Sequence, residues 1–115
     1  MKYMILIYGN REAWATLPGD GGQELFRAHA ALQQELTASG ELVSTNELDP
    51  DGSKIVRRRG GIPNVVDGPF TESKEIVAGY YIVDCVDMDR ATEIAGRLAE
   101  GEFAPIEVRA IGRAG

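Results

Sequence analysis

Residues 67–84 read Asp67-Gly68-Pro69-Phe70-Thr71-Glu72-Ser73-Lys74-Glu75-Ile76-Val77-Ala78-Gly79-Tyr80-Tyr81-Ile82-Val83-Asp84. The first half is a polar turn, since Gly68-Pro69 cannot continue a helix or a central strand. The second half reads as a strand over 76–86 that is apolar on both of its alternating faces. Charged groups therefore sit at the mouth of whatever that strand lines. The opening strand, 2–8, has the same two-faced character: Tyr3, Ile5 and Ile7 point one way and Met4, Leu6 and Tyr8 the other.

Between these strands the pattern changes to a helical period. Asp20 with Gln23 three residues on has capping-box spacing, and Gly40 is a left-handed stop, which predicts a helix over 21–39. Its inward stripe is Leu25, Leu32 and Leu36, and His29, the one histidine of the chain, falls on that stripe. A short helical turn carrying Trp14 precedes it, closed by Pro18. A second strand is expected over 41–48, and a hairpin with arms 54–59 and 62–67 turns at Gly60-Gly61. After strand 76–86, Asp87 caps a second long helix, expected to run to about residue 100 with Ala91, Ile94, Ala95 and Leu98 inward. A last strand covers 105–111.

The order is β-α-β, an inserted hairpin, then β-α-β, the ferredoxin-like split βαβ plan of an α+β fold. Two helices cover only one face of such a sheet. The other face would then expose an apolar patch larger than monomers tolerate. The expected solution is a homodimer whose sheets face each other around a barrel-like interior.

Composition sets outer bounds. A chain of 115 residues makes one domain, 1–115, with 43% hydrophobic and 26% charged residues. The apolar run before Gly9 is too short for a signal-peptide core or a bilayer span, so no membrane role is expected. One cysteine excludes an intrachain disulfide and points to the cytoplasm; Cys85 itself reads as packing. A net charge of −6 disfavours nucleic acid, which wants a positive field. Arg57-Arg58-Arg59 is better read as charge guarding a hairpin edge than as a phosphate site. One histidine and one cysteine do not make a zinc site, while a carboxylate-rich Mg²⁺ site stays open; no P-loop, dinucleotide fingerprint or Gly-x-Ser-x-Gly elbow is present, and no metal or cofactor is expected.

The motif Asp67-Gly68-Pro69-Phe70, continued by Thr71-Glu72-x-Lys74-Glu75 and Gly79-Tyr80-Tyr81, resembles the DGPF-type branch of the YCII-related (YciI-like) proteins. Lys2-Tyr3-Met4, Leu6-Ile7-Tyr8 and Ile106-Glu107-Val108-Arg109 fit the same family, so the similarity spans nearly the whole chain. The resemblance implies a dimeric α+β barrel with a small-molecule pocket between sheet and helices, for a substrate generally not established. The wider group carries a helix histidine followed, after ten intervening residues, by the stop glycine. His29 and Gly40 reproduce that spacing, while Arg27 stands one residue closer to the histidine than in that group. There the histidine pairs with an aspartate as an acid–base dyad, which carried onto this chain implies His29 with Asp67. Some relatives are encoded beside, or fused to, extracytoplasmic-function sigma factors.

Each candidate has a plainer reading. Asp67 caps its turn or enters a pocket; Pro69 offers it no N–H two residues on. His29 is a core histidine or an acid–base group. Glu72 and Lys74, with Phe70 beside them, form a solvated turn or a substrate clamp. Tyr80 and Tyr81 lie on opposite faces, so one lines the core and the other meets the partner sheet. Two functions follow: cofactor-independent acid–base chemistry on a small organic molecule, or non-catalytic ligand binding as a regulatory partner.

Overall fold

The computed structural model describes residues 1–15, 21–69 and 75–113. In chain order these form β1 (Lys2–Gly9), α1 (Arg11–Ala15), α2 (Gly21–Ala38), β2 (Leu42–Glu47), β3 (Lys54–Arg59), β4 (Ile62–Asp67), β5 (Ile76–Asp84), α3 (Met88–Ala95), a 3-10 turn (Ala99–Glu102) and β6 (Ile106–Ala110). Four strands make one antiparallel sheet in the order β2-β5-β1-β6, while β3 and β4 pair separately as a hairpin. That order, with the first and penultimate sheet strands central, is the ferredoxin-like arrangement inferred from the sequence.

Register explains which side of each two-faced strand is inside. Ile5 lies opposite both Tyr81 and Val108, and Tyr3 opposite Val83. These side chains share one face and meet Leu32 and Leu36 of α2 and Ala91, Ile94 and Ala95 of α3 in a single buried cluster. Met4, Leu6, Tyr80 and Ile82 alternate onto the opposite face and stay partly exposed. The described part of the molecule is only 18 Å across its shortest axis, the depth of one sheet with one helix layer. Cys85 is buried at the end of β5, and burial pushes its thiol pKa up.

Two local devices position the site. Asn10 caps α1 by accepting the Ala13 N–H at 2.7 Å, and this short helix folds Trp14 back over Gly9. A β-carbon on Gly9 would lie 2.5 Å from the indole, so only glycine permits that contact. The second device is a correction to the expected helix over 87–100. Asp87 caps α3 as anticipated, its carboxylate accepting the Arg90 N–H at 2.9 Å, but the helix stops at Gly96. Leu98 then takes extended backbone (φ −78°, ψ 122°) and buries its side chain before the 3-10 turn begins. A poor helix former at Gly96 and the gain from burying Leu98 outweigh another turn of helix. The break sends Glu100 toward α2.

Arg90 fastens α3 to the segment entering β2. Its Nε and Nη2 donate to the two oxygens of Glu41 at 2.9 and 2.8 Å, a bidentate pair that lowers the Glu41 pKa to about 2. Arg97 reaches Glu35 of α2 at 2.5 Å and ties down the start of the break. The capping role read for Asp20 falls outside the described residues, but α2 begins and ends where the pattern placed it, with Gly40 at φ +79°.

Candidate functional site

Between α2, the 3-10 turn and the ends of β1, β2 and β5 lies a cavity of about 510 Å³. Its apolar wall includes Ile7, Trp14, Leu25 and Phe103, and its polar groups include His29, Gln33, Thr45 and Glu100. This mix of aromatic wall and a few convergent polar groups suits a small organic molecule. The residues that form it come from elements far apart in sequence, held together by the core beneath.

Polar groups on the wall form one connected chain. His29 Nε2 lies 2.5 Å from Glu100 Oε2, and His29 Nδ1 lies 2.7 Å from the Tyr81 hydroxyl. Gln33 Nε2, one helical turn beyond His29, donates to the same hydroxyl at 3.3 Å. The imidazole and phenol rings lie nearly parallel, 21° apart, with centroids separated by 5.7 Å. An ionised carboxylate only accepts, so the Nε2–H of a neutral imidazole points at Glu100 and Nδ1 accepts from the Tyr81 hydroxyl. Burial raises the Tyr81 pKa, with Gln33 and Thr45 pulling the other way, so the phenol keeps its proton at neutral pH.

Burial differs along the chain of groups. Tyr81 is 1% exposed, whereas the side chains of Glu100 and His29 are 15% and 21% exposed. The second oxygen of Glu100, Oε1, is buried with no hydrogen-bond partner among the described residues. A carboxylate half-satisfied in this way is costly to keep.

The residues singled out in the sequence are distributed as follows. His29 and Tyr81 are brought together on the cavity wall, and Tyr80 also borders it, with its hydroxyl accepting from Asn46 at 2.9 Å and its pKa lowered by that bond. Asp67 lies at the foot of the hairpin, exposed and paired with Lys54, and it is not among the cavity-lining residues. The carboxylate on His29 is Glu100. Phe70, Glu72 and Lys74 lie outside the described residues. Glu100, Gln33 and Trp14 were not anticipated as site residues. Among the described residues no cluster of three or more metal-ligating side chains occurs, and no helix is long and apolar enough to cross a membrane.

The fold is a split βαβ unit with a histidine-bearing cavity between sheet and helix. The model of the YCII-related domain matches residues 1–113. The chain belongs to the YCII-related family. A curated relative within reach is a protein of Rhizobium meliloti (strain 1021) described as uncharacterised. It is 29% identical over 100 residues, covering 86% of this chain and 81% of the relative. The family assignment thus agrees with the fold and leaves the chemistry to be argued from the site.

Proposed function

We propose that this YCII-related protein, of the DGPF-type branch, binds a small organic molecule in the cavity and shifts a proton on it without a cofactor. The observation that carries this reading is the Glu100–His29–Tyr81 chain on the cavity wall. A carboxylate behind an imidazole fixes its tautomer and stabilises the imidazolium that forms when it takes a proton. His29, more exposed than Tyr81, meets the ligand. A ligand that presents its acidic proton to Nδ1 in place of the Tyr81 hydroxyl gives it to that nitrogen, leaving an imidazolium against Glu100 while Gln33 still holds the phenol. Return of the proton to a different ligand atom completes an isomerisation. General acid–base catalysis of this kind contributes about 10²–10⁴-fold in rate.

The protein works as a cytoplasmic homodimer in this reading. The partly exposed Met4, Leu6, Tyr80 and Ile82 on the helix-free side of the sheet favour a second sheet against them. The single domain of the sequence reading, 1–115, is then one protomer. Handling of ligand charge by Glu72 or Lys74 is part of the same proposal.

A second reading, non-catalytic ligand binding as a regulatory partner, is favoured by one specific feature. Both ring nitrogens of His29 are already taken within the chain, as in a polar cluster that only shapes a pocket. The two are separated by incubating the protein in D2O with a panel of enolisable carbonyl compounds and following deuterium incorporation by mass spectrometry. Proton chemistry predicts incorporation into a panel member that is lost in His29→Gln with fold intact. Binding detected by native mass spectrometry, unchanged in His29→Gln and with no incorporation, would establish the regulatory reading.

A further inference from the structure

The β3–β4 hairpin is built to be covered, and the described residues of its own chain do not cover it. Every residue of β4 is exposed, and Ile62, Val56 and Val65 are 71%, 59% and 56% exposed. Cross-strand partners share a face, so Val56 with Val65 forms an apolar pair on one side and Ile55 with Val66 on the other. A two-stranded ribbon with apolar residues on both faces and two open edges is marginal in water by itself.

Charge says what covers it. Residues 54–67 hold Lys54, Arg57, Arg58 and Arg59 against Asp67 alone, a net +3, which leaves −9 on the other 101 residues of a chain whose net charge is −6. The strongest local contrast is residues 41–51, which carry Glu41, Glu47, Asp49 and Asp51 and no lysine or arginine; Arg90 already pairs with Glu41 and Arg11 with Asp51, which leaves Glu47 and Asp49 to meet the arm. Within that stretch β2 is an end strand of the sheet, with one edge unpaired among the described residues, and Val43 and Leu48 are exposed. The stretch thus offers what the hairpin lacks: an open edge, apolar side chains and opposite charge. A nucleic acid would match the arginines and be repelled by the rest of the chain.

We infer that the hairpin is an arm that docks on residues 42–51 of a second copy of this chain. A two-fold pair of copies exchanges two such arms, each burying the other's β2 edge. Glu47, Leu48 and Pro50 also line the cavity, so each arm borders the cavity of the opposite copy. This goes beyond the face-to-face packing of the sheets and does not require it.

The test uses the full chain. A photoreactive benzoylphenylalanine replacing Val65 is introduced into unlabelled protein, mixed with 15N-labelled protein and irradiated. The arm predicts cross-links between light and heavy chains that map to residues 42–51. In parallel, Arg59→Glu and Glu47→Arg are each expected to weaken self-association about tenfold, and the double variant to regain most of it. Ile82→Lys separately probes the helix-free sheet face. A dimer broken by Ile82→Lys but indifferent to both charge reversals, with no cross-chain adduct, overturns the arm and leaves the sheet packing standing. A monomer at about 100 µM overturns both, as weak association beyond that range would be. Binding of a labelled DNA duplex that is lost in Arg59→Glu, without self-association, also overturns the arm.

Discussion

Replacing Glu100 with methionine should leave the protein about as stable as it is now. The carboxylate gains one charge-assisted hydrogen bond, from His29 Nε2 at 2.5 Å, of a kind that contributes about 1.5–3 kcal/mol. Its other oxygen is buried with no partner among the described residues, at a cost of about 1–3 kcal/mol. Methionine keeps the length of the side chain, removes the half-satisfied carboxylate and adds apolar surface to a cavity that Leu25 and Phe103 also line. His29, with its side chain 21% exposed, recovers a partner from water. The terms nearly cancel, so the expected change is within about 1 kcal/mol of zero. Urea unfolding followed by circular dichroism measures it, with midpoint and slope compared between wild type and Glu100→Met. A loss above about 2 kcal/mol would refute the reasoning, because Glu100 would then be a structural support and not a group held at little net gain to folding.

Three further outcomes test the frame around the site. Glu41 is held to about 2 by Arg90, below its ordinary 4.5, so its contribution is complete above 4.5 and disappears as pH falls through about 2. After allowance for solvent the pair is worth about 1–2 kcal/mol, and acid titration of Arg90→Met should show a correspondingly shallower loss over that window. Gly9→Ala should cost about 1–3 kcal/mol and displace Trp14, visible as a shifted emission maximum because the chain has one tryptophan. Leu36→Ala, at a fully buried position of α2, should lower stability by about 2–5 kcal/mol in the same unfolding assay.

Much of the architecture was readable because it rests on periodicity. The two-faced strands β1 and β5, the hairpin arms and the span of α2 follow from alternation, a helical stripe and glycine stops, which act locally. His29 was readable for the same reason, as a polar residue on the stripe of Leu25, Leu32 and Leu36. Its carboxylate partner was not. Glu100 reaches His29 only because α3 ends at Gly96 and Leu98 turns inward, and a single glycine in a pattern that otherwise continues to residue 100 gives no local sign of that break. The pairing spans 71 residues and depends on how two helices and a 3-10 turn pack, which no spacing rule encodes. Alternation did show that Tyr80 and Tyr81 face opposite ways; the β1–β5 register, set by the whole sheet, decides that Tyr81 is the inner one.

The proton path is tested most directly by the side-chain nitrogen spectrum of His29, which is unambiguous because the chain has a single histidine. For the neutral ring at a pH where it is populated, the account predicts a protonated Nε2 facing Glu100 and a bare Nδ1 accepting from Tyr81, with the Nδ1 resonance moving in Tyr81→Phe. A neutral ring protonated at Nδ1, or an Nδ1 resonance indifferent to Tyr81→Phe, would contradict it.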